Sequence, residues 1–221
     1  MIVGGLATIP ARVNTLEKVV YSIIPQVDLL YVVLNGHTSV PQWLKSLENV
    51  EYVVSNNFRG DAMKFIKADM HNVYYFGFDD DLIYPDNYVA KMKRGVDKYN
   101  GLVSLHGRTY PRPVESFTKW IGNYRCLNTV MEDMSVDVVG SGVCAFHTSR
   151  LKVKLGDFAQ PNMADLYLSK LAHEQGVPMM VLQHPQKYLQ YLNTDRHNTI
   201  WHTESKNRFE RQTTLLKEFL K

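Results

Sequence analysis

Three carboxylates stand side by side at Asp79-Asp80-Asp81, directly after the apolar and aromatic run Val73–Phe78. Carboxylates this crowded repel one another unless a cation or solvent compensates. Two of them within one turn offer hard oxygen ligands to Mg²⁺ or Mn²⁺, cations that keep several waters and add phosphate oxygens from a substrate. A solvated turn leading into the next helix is the plainer alternative, but placement at the end of a buried strand favours the metal-binding reading. Asp61 and Lys64, three apart on a predicted helix, either pair on a solvated face or meet an anion together at the helix N-terminus. Asp165 falls in the first turn of another predicted helix, where the dipole stabilises a carboxylate whatever its role. Gly140-Ser141-Gly142 is a bulge or turn, or a place where backbone approaches a ligand closely. Arg12 is by default an exposed arginine.

The elements that must position these residues alternate along the chain. Ile2–Thr8 is an apolar run ending in a turn at Ile9-Pro10. Asn14-Thr15-Leu16-Glu17 has capping-box spacing and predicts a helix over about Thr15–Ile24. Leu29–Leu34 reads as a strand closed by Asn35-Gly36, followed by a short helix around Pro41–Leu47 and a strand at Val50–Val54. Gly60-Asp61 opens a helix through about Met70. Val73–Phe78 is a strand, Pro85-Asp86 starts a helix to about Tyr99, and Gly101–Leu105 is a strand. His106 to Asn128 reads as loop, with Tyr110, Phe117, Trp120 and Tyr124 crowded into it. Val136–Val139, Val143–Phe146 and Met179–Gln183 are strands, Ala164–Gln175 is a helix ending at Gly176, and one amphipathic helix runs from roughly Lys206. This alternation predicts an α/β fold with a mostly parallel sheet, in which ligands sit beyond the carboxyl ends of the strands. The turns after Thr8, Leu34, Val54 and Phe78 should form one rim.

Composition fits a single domain of 221 residues, 45% of them apolar. A chain this long buries roughly 70–75% of its unfolded surface, so no disulfide scaffold is needed. The net charge of +3 is too weak to argue for nucleic acid as a partner. Cys126 and Cys144, in no metal-binding spacing, read as free thiols of a reducing compartment, which makes a soluble cytoplasmic protein the expectation. Met1–Leu6 reads as a first strand rather than a signal peptide. Val19–Leu34 is broken by Pro25, Gln26 and Asp28, so no membrane span is expected. No GxxxxGK[ST] occurs, which excludes a P-loop NTPase. A phosphate-receiver domain has no place for the long aromatic loop after His106.

Phe78-Asp79-Asp80-Asp81-Leu82-Ile83-Tyr84-Pro85 resembles the D-x-D segment of GT-A-fold glycosyltransferases, which transfer a sugar from a nucleotide diphosphate. Ala7-Thr8-Ile9-Pro10-Ala11-Arg12 resembles that family's nucleotide-binding turn after the first strand. Gly60-Asp61-Ala62-Met63-Lys64-Phe65 resembles the segment that reaches the nucleotide. Val139-Gly140-Ser141-Gly142 and Asn162-Met163-Ala164-Asp165 resemble the acceptor-side strand and the helix carrying the catalytic acid. The likeness covers roughly Met1 to Gln183 and is nearest to short, family-2-like enzymes of bacteria and large DNA viruses. Asn35 stands where many relatives carry Asp.

The resemblance implies a single domain over 1–221, with a nucleotide-sugar part at 1–107 and an acceptor part with the C-terminal helix at 108–221. Thr8, Pro10, Arg12, Asn35, Asp61, Lys64, Asp79, Asp80, Ser141 and Gly142 would contact the donor. Mn²⁺ or Mg²⁺ would be held by Asp79 and Asp81, with a third ligand among His184, His202 and His197. Asp165 would be the general base. The donor would be a UDP-sugar, UDP-glucose or a UDP-deoxyhexose, and the acceptor a glycan hydroxyl, met near the loop aromatics with His106 and Arg108 at its entrance. Three rivals remain open: a glycoside hydrolase, revealed by EDTA-insensitive sugar release; a non-catalytic nucleotide-sugar or glycan-binding module; and a nucleotidyltransferase, revealed by pyrophosphate release. A small complete enzyme and one module of a longer chain would read alike.

Overall fold

The computed structural model describes residues 1–192 and 199–221. In chain order the elements are β1 (Ile2–Thr8), α1 (Val13–Ile23), β2 (Leu29–Asn35), β3 (Val50–Ser55), β4 (Tyr74–Phe78), β5 (Leu82–Ile83), α2 (Tyr88–Tyr99) and β6 (Leu102–Ser104). Then follow β7 (Gly107–Thr109), β8 (Gly122–Tyr124), β9 (Met134–Ser135), β10 (Val138–Val139), β11 (Val143–His147), α3 (Ala164–Glu174), β12 (Met179–Val181), β13 (Gln190–Tyr191), α4 (Ile200–Ser205) and α5 (Glu210–Phe219). No helix among the described residues is long and apolar enough to cross a membrane.

Eight strands form the central sheet in the order β3-β2-β1-β4-β11-β6-β12-β9. The first four are parallel, as the βα alternation requires, whereas β11 runs antiparallel to both β4 and β6. Its apolar run predicts a strand but carries no information about direction. One face packs on α1 and α2 through Leu16, Val20, Ile23, Val89 and Met92 against Leu6, Leu30, Phe76 and Phe78. The other carries Val3, Tyr75 and Phe146 beneath Phe65, Phe158, Leu166, Leu168 and Leu216. Both faces are thus covered, which accounts for the nearly continuous apolar runs of β1, β2 and β4.

A row of small residues crosses the second face. Gly5 of β1 lies beside Gly77 of β4, Gly77 beside Cys144 of β11, and Cys144 beside Ser104 of β6. Residues paired across strands point to the same side, so the four form a shelf with almost no side chain on it. Backbone rests directly there. A Cβ on Gly5 would fall 1.8 Å from the Lys64 carbonyl oxygen, and one on Gly77 would fall 2.1 Å from that of Ser141. Tyr75 Oη donates to the Lys64 carbonyl (2.7 Å), Cys144 Sγ to that of Ser141 (3.2 Å), and Ser104 Oγ to that of Gly140 (3.0 Å). The shelf therefore fixes two turns from opposite halves of the chain against the end of β4.

Several local expectations are corrected. Helix α1 begins at Val13, after a 3-10 turn at Pro10–Arg12, and Asn14 does not cap it. Thr15 instead turns its hydroxyl to the carbonyls of Arg12 (2.9 Å) and Asp80 (3.0 Å). The segment opened by Gly60 is a 3-10 helix over Gly60–Phe65, and that at Pro41–Leu47 is likewise 3-10, over Gln42–Ser46. The stretch read as loop contains a hairpin, β7–β8, joined by β10 into a three-stranded sheet. The helix expected from roughly Lys206 is α5, which begins at Glu210 after Arg208 and Phe209 adopt left-handed backbone, and a separate short helix, α4, precedes it.

The shelf yields a stability prediction. Gly5→Ala drives a methyl group into backbone, and overpacking of this kind costs about 2–3 kcal/mol. Thermal unfolding should fall by roughly 4–12 °C. Gly156→Ala, with nothing within 4 Å of the new methyl, should remain within about 0.5 kcal/mol of wild type. Equal melting temperatures for the two variants would contradict the close backbone approach.

Candidate active site

The carboxyl ends of the parallel strands open onto two adjoining cavities. The larger, about 390 Å³, is lined by Thr8, Arg12, Asn35, Gly60, Asp80 and Asp81. The smaller, about 220 Å³, is lined by Arg108, Phe117, Ser141, Asp165, Trp201 and Phe209. Asp61, Lys64, Asp79, Asn162 and Ile200 line both. The shared wall is thus built from the shelf-bound 60–65 turn, the end of β4, the approach to α3 and the start of α4.

Two cations enter the acidic triplet from opposite sides. Arg12 Nη1 lies 3.0 Å from Asp81 Oδ2, and Lys64 Nζ bonds Asp79 Oδ1. Arg12 is only 6% exposed and Lys64 3%, so each needs an anionic partner to remain charged away from water. Burial alone would lower the Lys64 pKa, but Asp79 and Asp61 outweigh it and raise it, keeping the ammonium charged. Burial, reinforced by Asp79 and Asp80, pushes the Asp81 carboxyl up to about 7. Burial also raises Asp80. Three carboxylates thus stand beside two cations, an arrangement with room for one further cation.

Neutral bonds fix the backbone around it. Asp79 N–H donates to Tyr84 Oη (2.8 Å), and Tyr84 Oη donates to the Gly142 carbonyl (2.6 Å). Gly142 lines neither cavity; a Cβ there would lie 1.8 Å from Asp79 Cγ, so its role is to leave room for that carboxylate. Pro10 likewise lies behind the lining, shaping the turn in which Arg12 N–H donates to the Ile9 carbonyl (2.9 Å). Thr8 and Asn35 line the larger cavity. Asn35 Nδ2 donates to the Gly60 carbonyl (2.9 Å), leaving Oδ1 buried without a hydrogen-bond partner.

Asp165 is half-buried in the first turn of α3, and its Oδ1 accepts from Ser141 N–H (2.8 Å). Ser141 thus belongs to the smaller cavity, beside Asp165, rather than among the residues of the larger one. Asp61 Oδ2 accepts from Ala164 N–H at the start of α3 (3.2 Å), while Oδ1 is buried and unpartnered. Burial, partly opposed by Lys64, pushes the Asp61 carboxyl up to about 6. The 60–65 segment is too short to supply the helix N-terminus expected for it, so any anion there meets the Lys64 charge instead.

Of the histidines expected to supply a third metal ligand, two lie among the described residues. His184 is 3% exposed and lies past β12, its Nδ1 2.8 Å from the Leu182 carbonyl and its Nε2 3.4 Å from that of Arg125. His202 sits within α4, whose Thr199, Ile200 and Thr203 line the larger cavity, and its N–H donates to Thr199 Oγ1 (3.2 Å). His197 lies outside the described residues. Among the described residues, no three His, Cys, Asp or Glu side chains are arranged to hold a cation by themselves. Of the loop aromatics, Phe117 lines the smaller cavity, Trp120 stacks near Arg108, and Tyr110 is buried, donating to the Phe117 carbonyl (3.0 Å). Tyr124 lies on β8 and lines neither cavity. Tyr84 and Asn162 stand inside the quoted motifs but had no role assigned to them from sequence, and of α4 only His202 was singled out.

His106 packs against Gly140, so that a Cβ on the glycine would lie 2.8 Å from that of the histidine. Burial, then the Arg108 charge, lowers its pKa from 6.5 to about 4. The unfolded chain therefore binds the extra proton between those values, and this contribution to stability is lost as pH falls through that window. An NMR titration should place the His106 midpoint near 4. Wild type should lose stability more steeply than His106→Asn between pH 6.5 and 4; a midpoint near 6.5 would contradict this environment.

No family model matches the chain, and no curated protein matches it. Among solved structures, the crystal structure of S. aureus TarS 1-349 in complex with UDP-GlcNAc is similar with a TM-score of 0.56 and 11% identity, over 90% of this chain and 60% of that one. The chain thus spans less than two thirds of that structure's length. The shared architecture is a mixed α/β domain with a large, mostly parallel sheet flanked by helices, a GT-A, Rossmann-like fold.

Proposed function

We propose that the chain is a metal-dependent glycosyltransferase that moves a hexose or deoxyhexose from a UDP-sugar to a hydroxyl of a glycan acceptor. The observation that carries this reading is the shared wall. Asp79 faces both the cavity holding the triplet and the cavity holding Asp165, so donor and acceptor would meet across it.

The larger cavity suits a nucleoside diphosphate. Asn35 Oδ1 is a buried acceptor without a partner, which a base N–H would satisfy. Arg12 and Lys64 would hold diphosphate oxygens as their carboxylate partners turn to a cation. Mn²⁺ or Mg²⁺ fits the donor set, because Asp79 and Asp81 offer hard oxygen ligands lining the same cavity, and such ions complete their shell with phosphate and water. When bound, the cation would neutralise charge on the departing diphosphate. Asp165, oriented by Ser141 N–H, would take the proton of the acceptor hydroxyl as that oxygen bonds to the anomeric carbon and the bond to diphosphate breaks. Direct displacement inverts the anomeric centre and releases UDP. The ion pairs on Asp79 and Asp81 favour a second reading, a nucleotide-sugar-binding module that needs no metal.

Nucleotide release from a panel including UDP-glucose, UDP-GlcNAc, UDP-deoxyhexoses and GDP-sugars, with and without Mn²⁺, separates these readings. Asp165→Asn should keep UDP binding and lose transfer by about 10²–10⁴-fold. Asp81→Ala should weaken metal and donor binding together. Full activity in both variants would overturn the mechanism, and binding without turnover would leave the module. Pyrophosphate as product would indicate a nucleotidyltransferase, and metal-independent sugar release a hydrolase.

A further inference from the structure

The smaller cavity holds a cation that the transfer step does not use. Arg108 projects from β7, and its guanidinium carbon lies 5.0 Å from the centroids of Phe117 and Trp120 and 5.4 Å from that of Trp201. Trp201 packs on Phe209 (4.6 Å) and Phe209 on Phe117 (5.3 Å), so the rings form a continuous wall. Arg108 Nε is buried without a hydrogen-bond partner. No carboxylate among the described residues forms an ion pair with Arg108, although acids line the same cavity.

Those acids are engaged elsewhere. Glu204 is bound by Arg211 and by Gln212 Nε2 (2.8 Å), and Asp165 takes the Ser141 N–H. Lys64 answers Asp79 and Asp61. Asp137, near the base of β7, bonds Arg112 (2.8 Å) and Tyr110 N–H (2.7 Å). Arg108 is therefore a buried-edge cation with an unmet donor, walled by rings that exclude water from its flanks. Stacking occupies the faces of a guanidinium and leaves its in-plane N–H groups, the geometry that binds carboxylate and phosphate oxygens. Low local polarity strengthens such a bond.

We propose that Arg108 reads an anionic group, phosphate or carboxylate, on the acceptor, beside the hydroxyl that Asp165 activates. The assignment of that group to the acceptor rests on the glycosyl-transfer reading. A volume of about 220 Å³ falls below that of drug-sized sites, so one charged sugar or polyol unit would enter rather than a long neutral oligosaccharide.

Tryptophan fluorescence tests this without donor or metal, since Trp120 and Trp201 flank the guanidinium. Glucose 6-phosphate, glucuronate and glucose are titrated into the protein. One or both anions should give a saturable change at a concentration at least tenfold below glucose, and which of them does so distinguishes phosphate from carboxylate. Arg108→Met should weaken that response at least tenfold, and Arg108→Lys should restore part of it. A response that survives Arg108→Met places the anion elsewhere and overturns the proposal, as does equal affinity for glucose and both anions. If Arg108→Met does not fold, Arg108→Lys decides: an anion response unchanged in Arg108→Lys overturns the proposal, and a weakened one supports it. A failure of nucleotide release in the donor screen leaves this titration readable, so the two readings fail separately.

Discussion

The site depends on a place where the sheet carries only glycines and small side chains. Gly5, Gly77, Cys144 and Ser104 line up across four strands, and the carbonyls of Lys64, Gly140 and Ser141 come down onto that row. With ordinary side chains at Gly5 or Gly77, neither turn could approach. Lys64 would then stand away from Asp79, and the Gly140–Gly142 turn would not present Ser141 N–H to Asp165. Close packing is thus what converts a common α/β layer arrangement into one wall shared by two cavities.

Charge is organised around that wall. Asp61, Asp79, Asp80, Asp81 and Asp165 converge where Lys64 and Arg12 are nearly sealed from water. Each buried cation is compensated by a neighbouring carboxylate, and removing Arg12 or Lys64 would leave those acids without their counter-charge. Burial raises the pKa values of Asp61 and Asp81, with Lys64 opposing it at Asp61 and the neighbouring carboxylates reinforcing it at Asp81. A net charge of +3 hides all of this, because the basic residues that matter are two side chains on one rim.

Most of the parallel half was legible in the sequence. Runs such as Leu29–Leu34 and Val73–Phe78 are long, apolar and bounded by turn residues, and covering both faces of a sheet produces that pattern. The triplet was legible because acids at a buried strand end demand an explanation. The second half was harder for physical reasons. Strands β7 and β8 have only three residues each and mix glycine with polar side chains, so no alternation reveals them. The direction of β11 is set by its partners. The break at Arg208 and Phe209 interrupts an otherwise helical pattern through backbone geometry that these residue types rarely adopt. The surroundings of His184 were not legible either, because a histidine just past a strand can meet nearby carbonyls, a burial that spacing does not distinguish from ligation.

Tyr84 has a consequence for how the site can respond. Its hydroxyl fastens the peptide of Asp79 to the carbonyl of Gly142 through two bonds that carry no formal charge. Main chain and carboxylate are therefore secured independently. Exchanging one counter-charge for another at Asp79 reorients a few side-chain atoms while the peptide stays where it is. The fastening thus moors the strand end through groups other than the carboxylate, whichever charge that carboxylate faces.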